Sequence, residues 1–297
     1  MSAVSISMQS GPVTVRVPAT SANLGPGFDA LGVALTLYDE VTATVIDGPT
    51  RVGITGEGAG ELPVDSSHLI ARSMRTAFEA LGVTAPEIEL RCVNRIPQAR
   101  GLGSSSAAIV AGVTLAQALA GMPDRAQALE IAGGIEGHPD NVAPCVLGGF
   151  TVAWIDEKHR ARAATMAPVQ SVQPVVFVPD VQGLTAVARA ALPATVPHAD
   201  ASFNAGRSAL LVYALTTDPA LLYAATEDRL HQAYRAGGMP GTAEVVRRLR
   251  EAGVAAVVSG AGPTVLALSE VPSGFDPGNG WIRHNLGFDS QGAQVMS

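Results

Sequence analysis

The chain has 297 residues, of which 47 % are hydrophobic and 15 % charged, and its formal net charge is −7. This composition supports a full-sized core and excludes a wholly disordered chain, and the length predicts one large domain or two ordinary ones. An acidic chain is a poor general binder of nucleic acid, because phosphate contacts need a basic surface. No apolar run approaches the roughly 18 residues that span a bilayer, and residues 1–11 lack the pattern of a signal peptide. We therefore expect neither a nucleic-acid nor a membrane partner.

The cysteine and lysine counts exclude several further kinds of binding site. Cys92 and Cys145 are too few for a disulfide framework or a four-cysteine zinc site, so a reducing cytoplasm is the simplest location. Lys158 is the only lysine and lies in a polar run. The Gly-Lys-Ser/Thr pattern of a P-loop is absent, so any phosphate must be bound by arginine, backbone N–H groups or metal.

Strand and helix patterns alternate along the first half. β-branched clusters predict strands over 13–17, 41–46 and 87–93, and helical spacing predicts helices over 68–81 and 104–119. The helix over 104–119 is apolar on nearly every face and should be buried.

A softer boundary falls at residues 156–174, where charges and prolines cluster. Beyond it the pattern restarts, with strands predicted over 175–178, 254–258 and 264–268 and helices over 205–215 and 242–251. Two blocks of mixed elements predict an α+β protein with two closely joined halves, residues 1–165 and 166–297.

The strongest local pattern is a glycine-rich loop between the strand over 87–93 and the helix that follows. Gly101 and Gly103 allow the backbone to turn tightly and approach an anion. Ser104, Ser105 and Ser106 fall at the helix N-terminus, where free N–H groups favour negative charge. The pattern is typical of a phosphate-binding loop; an ordinary helix N-cap is the alternative.

A second loop, over 18–29, follows the first strand. Asn23 and Asp29 place an amide and a carboxylate within one compact turn, which suits an ammonium or a hydroxyl group. An Asx turn with a capping aspartate is the alternative.

The third pattern places three carboxylates, a histidine and an asparagine within residues 130–141. Glu130 together with a hydroxyl group is suited to Mg²⁺, a hard ion that takes few protein oxygens beside phosphate and water. His138 has no second histidine at helical spacing, so an orienting hydrogen bond is favoured over zinc.

The fourth pattern, over 257–266, has two glycines between strands. It indicates either close backbone approach to a loop or ligand or a structural hairpin.

The four segments, in this order, resemble the GHMP small-molecule kinases. The loop over 18–29 and the run over 137–144 are similar to the homoserine kinases within that superfamily, and the resemblance extends from residue 13 to about residue 268. It implies an α+β GHMP kinase fold: an N-terminal domain with a left-handed βαβ crossover and a C-terminal ferredoxin-like domain. It also implies ATP-dependent phosphorylation of the L-homoserine hydroxyl with Mg²⁺, in threonine biosynthesis. A homodimer is compatible with it.

The resemblance also assigns residues. Mg²⁺ would be bound by Ser105 and Glu130, which together with Asn141 form the catalytic set. The ATP phosphates would be wrapped by Pro97, Gln98, Ala99, Arg100, Gly101, Leu102, Gly103, Ser104, Ser105, Ser106 and Ala107. L-Homoserine would be bound by Asn23, Asp29, His138, Asp140 and Asn141, with its carboxylate held by Arg189 and Arg235. Arginine forks suit a planar carboxylate, which gives the last assignment an independent physical reason.

His68, Ala233 and the pair Gly237-Gly238 depart from the commoner residues of the family. His68 stands where the family often has an asparagine near the adenine. Several relatives have an aspartate base beside the acceptor hydroxyl, whereas Asn141 cannot take a proton at neutral pH. We therefore expect no dedicated base, with Asn141 orienting the hydroxyl and Asp140 holding the ammonium.

The alternatives to phosphorylation of L-homoserine are a GHMP kinase for another small alcohol and a non-catalytic nucleotide-binding regulator of this fold.

Overall fold

The computed structural model describes residue 9 and residues 11–296. The expectation about a signal peptide falls almost wholly outside the described residues. The strands are β1 (Val13–Ala22), β2 (Leu31–Val45), β3 (Arg51–Gly56), β4 (Ile88–Asn94), β5 (Phe150–Ile155), β6 (Ala161–Met166), β7 (Val175–Pro179), β8 (Ala256–Val258), β9 (Val265–Ala267), β10 (Trp281–Asn285) and β11 (Gln294–Met296). The helices are α1 (Leu69–Ala80), α2 (Ser104–Leu119), α3 (Arg125–Glu136), α4 (Pro139–Leu147), α5 (Thr185–Ala190), α6 (His198–Thr216), α7 (Leu222–Ala225), α8 (Gln232–Arg235) and α9 (Pro240–Glu251). No helix in the described part is long and apolar enough to cross a membrane.

The first sheet has seven strands. Five follow the order β11-β1-β2-β4-β3, while β5 pairs with β2 and with β6. Within it β3 and β4 are parallel and are joined through α1, which forms the βαβ unit of the N-terminal half. Every other pair in this sheet is antiparallel.

The core of this half lies between the sheet and α2. Along β1, Val13, Val15 and Val17 are buried and alternate with partly exposed neighbours, as a strand with one covered face requires. Helix α2 is buried along almost its whole length, and α1 packs closely against it. A Cβ on Gly112 of α2 would lie 2.7 Å from the carbonyl oxygen of Ile70, so only glycine permits this approach of the helices.

The second sheet has the antiparallel order β10-β7-β9-β8. Its strands follow one another as in a ferredoxin-like unit, with a helical segment between β7 and β8 and a hairpin joining β8 to β9. The described residues 268–280 between β9 and β10 form no helix, so a loop replaces the second helix of that unit. Helix α9 covers this sheet with Val245 and Leu249.

Most of the predicted elements are present, with differences in length. The helix predicted over 104–119 has these bounds in the structure, whereas the strand predicted over 41–46 is the end of the 15-residue β2. Helix α6 begins seven residues before its predicted start, because its first turns bury only Asn204 and show no apolar period. The last strand, β11, returns to pair with β1 in the first sheet. The division at residues 165 and 166 stays a prediction.

Candidate active site

A cleft of about 520 Å³ runs between the N-terminus of α2 and the segments around α5 and α8. The residues from the predicted site that line it are Asn23, Gln98, Ala99, Gly101, Gly103, Ser104, Ser105, Ser106, Ala107, His138, Asp140, Asn141, Arg189 and Arg235. Asp29, Pro97, Arg100, Leu102 and Glu130 do not line it. Both halves of the chain therefore contribute to one site.

The glycine-rich loop is fixed by close contacts with the first and fourth sequence patterns. Gly101 has φ +77°, and a Cβ there would lie 2.3 Å from the carbonyl oxygen of Ser259. The Ser259 hydroxyl donates to the Gly101 carbonyl oxygen at 2.6 Å. Gly103 has φ +70°, and a Cβ there would lie 2.0 Å from Thr20 Oγ1. The hairpin between β8 and β9 thus contacts the glycine-rich loop directly. This agrees with the close backbone approach that the two glycines of the fourth sequence pattern predicted.

Three residues of the predicted phosphate loop do not line the cleft. Arg100 donates to the carbonyl oxygens of Gln98, Pro179 and Asp180, so its guanidinium is not directed at a phosphate. Leu102 is fully buried in the core. Pro97 lies where β4 leads into the loop, outside the cleft lining. Sequence alone groups these residues with their neighbours because they are contiguous with them.

The N-terminus of α2 opens into the cleft without a side-chain cap. Gly103 is the N-cap residue and its side chain is a hydrogen atom, so the first N–H groups of the helix are not covered by a capping oxygen. Unpaired N–H groups and the helix dipole favour an anion at such a terminus. The arrangement is suited to phosphate oxygens.

The carboxylate that accepts hydrogen bonds from the loop serines is Glu136, while the assignment of Mg²⁺ to Ser105 and Glu130 stays a prediction. Ser106 Oγ donates to Glu136 Oε1 at 3.0 Å, and Ser105 Oγ donates to Glu136 Oε2 at 3.3 Å. Glu130, on the same helix, is bound by Arg162 outside the cleft. The two glutamates are six residues apart, which places them about 120° apart around a helix, so only one of them can face α2.

In the same cleft, Asp140 is almost fully buried and fixes the positions of its neighbours. Its Oδ1 accepts from His138 Nδ1 at 2.9 Å and from the Asn141 backbone N–H at 3.1 Å. The hydrogen bond with Asp140 raises the pKa of His138, which favours the protonated imidazole. The predicted orienting hydrogen bond of His138 is therefore present.

A buried threonine, which sequence analysis missed, orients Asn141. Thr20 Oγ1 donates to Asn141 Oδ1 at 2.8 Å. The amide oxygen is thereby occupied, and its N–H₂ group is the part left for a ligand in the cleft. Only the fold brings this β1 hydroxyl to α4, since 121 residues separate the pair.

The loop over 18–29 positions Asp29 beside α5. The Asp29 backbone N–H donates to Asn23 Oδ1 at 2.9 Å, and both residues adopt left-handed backbone conformations, with φ +53° and +61°. Such conformations cost free energy for residues other than glycine and often occur at functional sites. Asp29 accepts two parallel bonds from Arg189, at 2.9 Å each.

The second predicted arginine has a different environment. Arg235 is buried, with 2 % of its surface exposed, and it donates to the Ala188 carbonyl oxygen at 3.1 Å and to His231 Nδ1 at 3.2 Å. Within the described residues it forms no ion pair with a carboxylate. Burial lowers its pKa, and the charge of Arg189 lowers it further. A buried cation in this state favours an anionic ligand.

Known proteins resemble this chain over almost its whole length. Residues 68–149 match the family model of the GHMP kinases N terminal domain, and residues 211–273 match that of the GHMP kinases C terminal domain. Homoserine kinase of Streptomyces avermitilis is 56 % identical over 292 residues, covering 96 % of this chain and 95 % of the relative. Homoserine kinase of Streptomyces coelicolor is 55 % identical, covering 96 % and 94 %. The chain belongs to the homoserine kinase family.

The structural comparison agrees with this family. The crystal structure of homoserine kinase from Cytophaga hutchinsonii superposes with a TM-score of 0.85 at 29 % identity, covering 99 % of this chain and 100 % of the other. The predicted GHMP kinase fold is therefore confirmed, and the chain is an ATP-dependent small-molecule kinase.

Two further residues of this kinase line the cleft. Asp39 accepts from the backbone N–H groups of Arg95 at 2.6 Å and Ile96 at 2.9 Å, where β4 leads into the glycine-rich loop. Burial raises the pKa of Asp39 to about 6. His68 caps α1 by accepting from the Ile70 N–H at 3.2 Å, and burial lowers its pKa. Asp39 was missed because a single aspartate within a strand forms no recognisable pattern.

Proposed function

We propose that this chain transfers the γ-phosphoryl group of ATP to the side-chain hydroxyl of L-homoserine, forming O-phospho-L-homoserine for threonine biosynthesis in the cytoplasm. The observation that supports this acceptor is the charge at one end of the cleft. Asp140 there is a buried acid, and Arg189 and Arg235 are cations that line the same cleft. An amino acid has both an ammonium and a carboxylate, whereas mevalonate has only a carboxylate and galactose has neither, so this end suits a zwitterion.

ATP would bind with its phosphates at the N-terminus of α2. The turns at Gly101 and Gly103 and the uncapped helix N-terminus support this placement. Ser105 is exposed in the cleft, while Ser106 is buried and holds Glu136. We assign Mg²⁺ to Ser105 and Glu136, because a hydroxyl and a carboxylate are the hard oxygen ligands that this ion prefers beside phosphate and water. When bound, Mg²⁺ would neutralise charge on the phosphates.

L-Homoserine would bind between the acids and the arginines. Asp140 and Asp29 suit its ammonium group, and Arg189 and Arg235 suit its carboxylate. Because Asp29 and Arg189 already pair in the structure, the zwitterion would replace that ion pair with two new ones. The exchange keeps every charge partnered, which limits the desolvation cost of binding.

Among the described residues we assign no base to the acceptor hydroxyl. Asn141 would donate from its amide N–H₂ group, since Thr20 occupies its oxygen. Phosphoryl transfer passes through a loose transition state, in which positioning and charge neutralisation supply most of the catalysis. The hydroxyl proton would therefore leave late, passing to an oxygen of the transferred phosphoryl group, with Asn141 fixing the direction of attack.

A coupled assay of ADP release tests the proposal, with L-homoserine, mevalonate, galactose and no acceptor run in parallel. We expect turnover with L-homoserine alone, and a phosphomonoester product by ³¹P NMR. Turnover with mevalonate or galactose but not L-homoserine would assign another acceptor. Nucleotide binding without turnover on any acceptor would indicate a regulator.

A further inference from the structure

One of the two substrate arginines is held by groups without charge. Arg189 has a bidentate carboxylate partner, whereas within the described residues the more deeply buried Arg235 has only a carbonyl oxygen and an imidazole nitrogen. A buried guanidinium normally has a carboxylate partner, because burying an unpaired charge is costly. The neighbours of Arg235 should therefore explain how it is retained.

His231 contacts Arg235 in the neutral form of its ring. Arg235 Nη1 approaches His231 Nδ1 at 3.2 Å, and His231 Nε2 lies 2.7 Å from the Gly25 carbonyl oxygen. An arginine can only donate and a carbonyl can only accept, so both contacts are satisfied by the tautomer with its hydrogen on Nε2. Burial lowers the pKa of His231, which favours this neutral form.

Phe28 is the second uncharged neighbour. The Cζ atom of Arg235 lies 5.4 Å from the centre of the Phe28 ring, and that of Arg189 lies 5.7 Å from the same centre. The Phe28 and His231 rings lie 5.4 Å apart. An aromatic face attracts a cation without neutralising it. One ring thus contacts both arginines while leaving their positive charge available.

We propose that Phe28 and His231 are positioning residues, which hold Arg235 in the cleft as a cation without a carboxylate partner so that it binds the carboxylate of the acceptor. This inference rests on the proposed function and assigns roles to two residues outside the predicted site. A carboxylate in place of either ring would compete with the acceptor for Arg235. An uncharged neighbour fixes the guanidinium and leaves its charge for the ligand.

Phe28→Leu and His231→Leu test the proposal by steady-state kinetics with L-homoserine and with L-homoserinol, which lacks the carboxylate. Loss of a cation–π contact that is largely desolvated should raise the KM for L-homoserine about five- to thirtyfold in Phe28→Leu. Loss of the hydrogen bond to the charged group should raise it at least about tenfold in His231→Leu. We expect kcat, the KM for ATP, and kcat/KM for L-homoserinol each to change less than about threefold, since Arg235 acts on the carboxylate.

Two further variants give the experiment its controls. Phe203 on α6 lies over two guanidiniums in the same manner, with ring-to-Cζ distances of 4.5 Å to Arg207 and 3.8 Å to Arg229, and it lies outside the cleft. Phe203→Leu should leave all kinetic constants unchanged. Phe28→Tyr retains the aromatic face and should retain the KM of the unaltered chain.

The outcomes separate this inference from the proposed function. If the unaltered chain does not phosphorylate L-homoserine, the proposed function fails. If it does, equal losses with L-homoserine and L-homoserinol in both variants would overturn the positioning role. An unchanged KM in both variants would also overturn it. Loss of the folded state in both, measured by circular dichroism, would assign the rings to the core and overturn it as well.

Discussion

Main-chain groups dominate the end of the cleft to which we assign the nucleotide (the nucleotide end), whereas charged side chains dominate the end to which we assign the acceptor (the acceptor end). The nucleotide end comes mostly from one contiguous loop and the helix that follows it, with Glu136 added from α3. The acceptor end combines residues from four separate segments, around residues 23–29, 138–141, 189 and 235. An end built from backbone is sensitive to added atoms, because a Cβ blocks its turns. An end built from side chains is sensitive to altered charge.

The largest expected effect concerns Glu136, the one charged side chain that we assign to the nucleotide end. Glu136→Gln should lower kcat by about two to three decades, because a neutral amide weakens a metal contribution that is worth several kcal/mol. The measurement is kcat at saturating ATP, L-homoserine and Mg²⁺.

Glu130→Gln is the matched control, since it makes the same change on the same helix. It should leave kcat within about twofold and lower the free energy of unfolding by about 1 kcal/mol or less, as expected for a partly exposed ion pair. A large loss of kcat in Glu130→Gln with little loss in Glu136→Gln would restore Glu130 as the metal ligand.

The next effect tests the sensitivity of the backbone to added atoms. Gly103→Ala should lower kcat/KM about 100-fold, because its Cβ would meet Thr20 Oγ1 and displace the loop. Gly82→Ala has nearly the same φ, +69° against +70°, and its Cβ would meet nothing within 4 Å. Backbone strain should lower the free energy of unfolding by about 1–2 kcal/mol in both variants, as measured by urea denaturation. Only Gly103→Ala should lose activity; equal activity in the two would show that the close contact is not needed.

The arginines test the acceptor end. Arg235→Ala and Arg189→Ala should each raise the KM for L-homoserine about 10- to 100-fold, the cost of one charge-assisted contact, and leave the KM for ATP nearly unchanged. Arg235→Ala should raise the KM for L-homoserine more than Arg189→Ala does, because Arg189 must break its ion pair with Asp29 before it can bind the carboxylate. With L-homoserinol as the acceptor, the KM should differ less between these variants and the unaltered chain than it does with L-homoserine. A rise in the KM for ATP as large as that for L-homoserine would contradict the division of the cleft into two ends.

The smallest effect concerns the acceptor hydroxyl. Asn141→Ala should cost activity through misplacement, while Asn141→Asp should not increase the chemical rate above that of the unaltered chain. A new anion there would lie close to the γ-phosphate and next to Asp140, and the two carboxylates would raise one another's pKa. Single-turnover rates from pH 6 to 9 measure the chemical step. Acceleration of several-fold in Asn141→Asp, with a new carboxylate pKa, would show that proton removal limits the reaction.

The loop and the helix at the proposed nucleotide end were largely predictable, because the residues that form them are contiguous in the sequence. Two glycines, three serines and an apolar helix follow one another in the chain, and the structure places α2 over the predicted residues. Sequence could not separate the residues that face the cleft from those that anchor the loop, such as Arg100 and Leu102. Both groups lie in the same short segment, and the direction of each side chain depends on the neighbouring strands.

The acceptor end was predictable in its residue types and not in its contacts. The resemblance indicated Asp29, Arg189 and Arg235, but only the structure pairs the first two and leaves the third without a carboxylate. Thr20 and Asp39 were missed, since each is a single polar residue in a strand whose partner lies far along the chain.

The sequence by itself determined the family, the main helices and strands, and the types of group in the site, because periodicity, glycine turns and ordered motifs are properties of contiguous residues. The tertiary structure decided which of two glutamates on α3 faces the serines, which amide atom of Asn141 is free, and which arginine is unpaired. Each of these depends on atoms that are distant in the chain and adjacent in space, and a change of about 120° around one helix is enough to exchange the roles of Glu130 and Glu136.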